Sequence, residues 1–142
     1  MNTPLREQLR VATAADREYL LAAPVIGDAL AGRISRARYL AFLTQAWHHV
    51  RHTVPLLMAV GARLPDRHLN LQRGLIHYLE EEVGHDDWIL NDIEAAGGDR
   101  DAAAASVPNI ATDAMVAYAW DTVQRRNPVG FFGMVHVLEG TS

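Results

Sequence analysis

The stretch Leu75–Ile93, LIHYLEEEVGHDDWILNDI, constrains this chain more than any other, because it sets charge where a helix needs apolar surface. Wrapped at 100° per residue, Leu71, Leu75, Leu79, Val83, Ile89, Leu90 and Ile93 fall on one broad apolar arc. Glu82 and Asp86 fall near the centre of that arc, with Tyr78 and His85 at one edge. Glu80, Asp87 and Asn91 point the opposite way, toward water. A carboxylate turned into a core costs several kcal/mol unless it is neutralised or meets a cation. Glu82 and His85 also have the Glu-x-x-His spacing with which helix bundles present two ligands to a metal. Glu81, beside Glu82, and Asp86, one turn on, are secondary candidates, Asp86 as a group that orients a ligand.

The rest of the sequence repeats the helical period and shows no strand-like alternation, repeat or linker, so the expected class is all-α in a single helical domain over residues 1–142. Thr3-Pro4 opens a first helix to about Ala23. Pro24 breaks it, and a short helix follows to Gly32. Ser35 caps a second helix, Arg36 to Ala62, kinked at Pro55. A third runs from Arg67 to Ala96 and stops at Gly97-Gly98. Asp99 to Asn109 is expected as a surface loop. A fourth helix, capped by Asn109 or Thr112, reaches Arg126, and a fifth starts at Pro128. That last helix is apolar nearly all round, so it is expected to be central, and it carries His136 and Glu139.

Composition removes several chemistries. The absence of Cys excludes disulfides, thiolate nucleophiles and iron–sulfur clusters. All 13 basic residues are Arg, which removes lysine Schiff-base chemistry. With a net charge of −4 and no basic cluster, no nucleic-acid partner is expected. No apolar run has the length of a membrane span, and the N-terminus has no apolar h-region, so a cytoplasmic protein without membrane partners is expected. The remaining donors, imidazole and carboxylate, suit iron or manganese.

The segments EEEVGHDDWILNDIEAAGGD (residues 80–99) and PVGFFGMVHVLEG (residues 128–140) together resemble the haem-oxygenase-like di-iron oxidases and oxygenases, the iron-containing redox enzyme family. YLAFLTQAWHHVRHTVPLL (residues 39–57) is similar to that family's preceding core helix. The resemblance implies a haem-oxygenase-like helical bundle, with Glu82, His85 and Glu139 at metal-ligand positions. It implies Fe(II), two per complete site, with manganese as the alternative. The substrate class it implies is a small organic molecule oxidised with O₂. The family's second helix often carries a carboxylate. This chain has none between Arg36 and Arg63, so His49 and His52 are the candidates to stand in. The family's later ligand helix, His-x-x-x-Asp-x-x-His, has no match here, so the expectation is a truncated bundle, the N-terminal two-thirds. Its uncovered face would invite a homo-oligomer. Two rival expectations share the fold: a haem-binding or haem-oxygenase-like protein, and a truncated, non-catalytic bundle that self-associates.

Overall fold

The computed structural model describes residues 4–139, without the side chains of Leu5 and Glu139. Thr3, the expected first cap, lies outside the described residues. Among those described there is helix and turn but no strand, and the all-α expectation holds. No described helix is long and apolar enough to cross a membrane. The chain divides into two compact units, residues 36–131 and residues 1–35 with 132–142.

The smaller unit holds α1 (Leu5–Ala12), α2 (Ala14–Leu21) and α3 (Pro24–Leu30). The first expected helix is thus two. α1 closes at Thr13, whose hydroxyl and backbone amide both donate to the Leu9 carbonyl, each at 2.9 Å. Pro24 opens α3, as its fixed φ and missing donor favour.

In the larger unit, the two long helices expected from the periodicity are each broken in the middle. α4 (Arg36–Val50) and α5 (Thr53–Arg63) meet at a turn at Arg51-His52. Pro55 explains the position. Its ring would collide with the carbonyl four residues back, at Arg51, so the helix stops there and restarts with Pro55 in its first turn. After a single 3₁₀ turn (Asp66–His68) come α6 (Leu69–Glu82) and α7 (His85–Ala95), separated by Val83-Gly84. α5 and α6 form a hairpin, tied by the Gln72 amide donating to the Leu64 carbonyl at 3.1 Å. α7 returns along α4. The result is one bent two-helix arm doubled back on another, with both bends in register.

The end of α7 is held from across the arm. Arg36 donates to the carbonyls of Ala96 and Gly97, placing a cation on a helix C-terminus, where the dipole favours it. Gly97 has φ +75°, which supplies the expected stop. The expected surface loop is instead partly helical. α8 (Arg100–Ala105) forms because Asp99 caps it, accepting from Ala102 N at 2.9 Å, and its alanines have high helix propensity. Ala103 reaches the core with Leu43 and Trp47 of α4 and Leu90 and Ile93 of α7. α9 (Ile110–Arg125), capped by Asn109, lies against both α4 and α5. A 3₁₀ turn (Pro128–Gly130) leads into α10 (Phe131–Glu139). Residues 132–138 are half-buried, short of the all-round burial expected for that helix.

Candidate metal-ligand pair at the α6–α7 bend

Glu82 is the last residue of α6 and His85 the first of α7. Their closeness therefore does not come from the three-residue spacing of a continuous helix. It comes from the bend between them, where Val83 is extended and Gly84 is left-handed at φ +92°. Glu82 Oε2 stands 3.2 Å from His85 Nδ1, with the side chains 11% and 31% exposed. The carboxylate is thus largely withdrawn from water and the imidazole keeps one open edge. His85 also stacks on Trp88, with ring centroids 4.5 Å apart. Trp88 is itself 62% exposed, so it shields one face of the imidazole from outside.

Gly84 has no atom within 4 Å of where a Cβ would sit, so a side chain there meets strain and not a clash. Gly84→Ala is expected to cost about 1–2 kcal/mol, the penalty of a left-handed non-glycine residue, and to weaken metal binding. Gly84→Asn, which tolerates that region, should cost less. Thermal melts of the two variants check this. Equal stability of wild type and Gly84→Ala would contradict it.

The secondary candidates are placed differently. Glu81 lies on the outer face of α6, 59% exposed, with His77 Nε2 at 3.4 Å. Asp86 is half-buried in the first turn of α7, where a carboxylate also suits the helix dipole. His52 accepts a bond from the Trp120 indole at 3.3 Å on Nδ1, which leaves its proton on Nε2. A metal-bound imidazole ordinarily donates from its far nitrogen, the opposite arrangement. His49 is half-buried beside it. Glu139 ends α10, and its side chain lies outside the described residues. Among the described residues, no three ligating side chains converge.

The cluster on α4 differs from the sequence expectation in one respect. Periodicity set His49 nearest the apolar stripe, yet the buried histidine is His48, 2% exposed. Its Nε2 meets Ser106 Oγ at 2.8 Å, and Ser106 spends its own proton on the Ala103 carbonyl at 2.7 Å. His48 therefore donates from Nε2, while its buried Nδ1 has no partner among the described residues. Trp47 meets it edge-on, with ring planes at 64°, its own ring covered by the Arg51 guanidinium at 4.8 Å. Helical periodicity within α4 carries no signal for α8 and its trailing Ser106, which bury this face.

Burial, then Arg51, pushes His48 below the ordinary histidine value of 6.5. Burial, then His52, does the same to His49. For His52 the causes are burial, Arg51 and His48, opposed by Asp113. The unfolded chain thus takes up protons at a pH where the folded one does not. Stability is complete above 6.5 and falls as the pH drops from 6.5 through the lowered folded-state values. The melting midpoint should be lower at about pH 5.5 than at about pH 7.5, and His48→Asn should flatten that drop. A midpoint independent of pH in this window would contradict the assignment.

Residues 40–142 match the family described as iron-containing redox enzymes. In structure, the chain is similar to a domain of unknown function with a haem-oxygenase-like fold from Shewanella denitrificans OS217. The TM-score is 0.75 at 24% identity, over 99% of this chain and 66% of that one. The chain thus spans about two thirds of that structure's length, and the likeness speaks for the fold. No curated protein matches it.

Proposed function

Because the chain belongs to the iron-containing redox enzyme family, we propose that it contributes an iron site to a non-haem oxidase or oxygenase that acts with O₂ on a small organic substrate. Membership carries iron-dependent redox chemistry. The di-iron character, the oxygenase activity and the substrate class belong to the proposal.

The single observation that supports the reading is the Glu82–His85 pair. Iron fits it by donor type, one hard carboxylate and one imidazole with no sulfur. It fits by spacing too: ligand bonds of about 2.1 Å at right angles put neighbouring donors about 3 Å apart, close to the 3.2 Å between Oε2 and Nδ1. Glu82 and His85 would hold the metal across the bend. Asp86 would orient His85 or a bound water from the first turn of α7. Bound iron supplies one-electron redox chemistry and an open position for O₂. Trp88 keeps His85 in one ring orientation by stacking, and the partial burial of Glu82 keeps its carboxylate available to a cation instead of to bulk water.

Anaerobic Fe(II) titration followed by calorimetry tests the reading. Saturable binding that fails in Glu82→Gln and His85→Gln supports it. Undiminished binding in both variants overturns the assignment of the pair. Haemin added in parallel addresses the rival: a Soret band with stoichiometric uptake would move the function to haem.

A further inference from the structure

Along α6, Leu69, Gln72, Ile76 and Leu79 recur at spacings of three, four and three, the a/d pattern of a coiled-coil seam. A seam facing its own core would be buried. This one is not: Leu69 is 51% exposed and Ile76 59%. Leu75 instead makes the contact with α5, its methyl carbon 2.8 Å from where a Cβ on Gly61 would stand. Beside the seam runs an open apolar groove of about 350 Å³ between α5 and α6, where Met58, Gly61 and Ala62 face Ile76 and Leu79. Met58 is 60% exposed. Small residues on one wall and an exposed a/d row on the other form the receiving half of a helix–helix contact.

The charges beside the seam point to the occupant. Arg73 and Glu80 lie seven residues apart on the same flank, both at e positions, and both are exposed. In an antiparallel pair of such helices, a residues layer against d residues and e positions face e positions. Set Ile76 against Leu79 of a second copy and Leu79 against its Ile76. The same register then brings Arg73 opposite Glu80 of that copy, and Glu80 opposite its Arg73. The flank is complementary to itself under a two-fold axis, as an isologous dimer requires. We infer that α6 is a homodimer interface, two copies packing antiparallel through the Leu69–Leu79 seam with reciprocal Arg73–Glu80 ion pairs.

Sedimentation of the whole chain over a range of micromolar concentrations tests this. The wild type should dimerise. Arg73→Glu and Glu80→Arg, each alone, place like charges opposite each other and should weaken the dimer by about tenfold. Together they restore the pairs, and the double variant should return to within about threefold of wild type. Ile76→Glu should leave a monomer. All three positions are exposed, so helix content by circular dichroism should hold. A wild type that stays monomeric overturns the inference. So does a dimer indifferent to the single reversals, or one that the double variant fails to rescue. A monomer that binds the dye anilinonaphthalenesulfonate, with binding lost in Ile76→Glu, overturns it too and gives the groove to a small apolar ligand.

Discussion

Glu82→Gln lowers Fe(II) affinity by about 100-fold or more, about 3 kcal/mol of binding energy, and leaves helix content and melting midpoint close to those of wild type. The amide has the shape of the carboxylate and still offers an oxygen to His85 Nδ1, 3.2 Å away in the native pair. The local structure at the bend therefore has no reason to change. What disappears is the negative charge, in a side chain only 11% exposed and so poorly screened. Loss of a group that merely orients a ligand costs 10–100-fold in metal affinity, and loss of a charged ligand should reach at least the upper end. Calorimetric titration measures it. Wild-type affinity in the variant would reduce Glu82 and His85 to an ordinary ion pair.

Ile93→Ala is expected to lower stability by about 2–5 kcal/mol, and the melting midpoint by about 10 °C for a chain of this size. Ile93 is 2% exposed and belongs to the cluster that joins α4, α7 and α8. It also closes the end of α7. The space a Cβ on Gly98 would need is filled by an Ile93 methyl and a Leu40 methyl, each 2.8 Å away. Truncation therefore opens a cavity at a point where the backbone is already fixed by Gly97 and Arg36 and cannot collapse to fill it. Trp47→Phe is the informative contrast. It alters the same cluster but removes a buried indole N–H that has no partner among the described residues, so it should cost much less. Thermal or urea unfolding ranks the two. A milder effect from Ile93→Ala than from Trp47→Phe would place the core elsewhere.

Helical class, most helix termini and the identity of the acid–imidazole pair were legible because they rest on local signals. Pro24, Asn109 and Gly97 each act through backbone torsion or a side chain reaching a neighbouring amide. The breaks were harder. Leu71 to Ile93 keeps helical period straight through Gly84, and a lone glycine within such a pattern is ordinarily tolerated. The turn at Val83-Gly84 falls where the chain passes from packing on α5 to packing on α4. The consequence for the pair is direct: a spacing that suggested one helical face in fact spans two helices. His48 shows the same limit. Which of three close histidines is buried depends on α8 and Ser106, a segment far along the chain, and not on α4 itself. Alanine marks no boundary of its own, so Ala102 to Ala105 carry no sign of where α8 begins, and it is Asp99 that caps it.

The left-handed glycine between α6 and α7 has a mechanical corollary. One jaw of the Glu82–His85 pair is anchored on the arm that packs on α5, and the other on the arm that packs on α4. An ion gripped by both would be a clasp over a joint, and its grip would set the angle at which the two arms meet. Changes in the ion's charge or coordination number would then be felt as leverage far from the metal, wherever the ends of those arms are held.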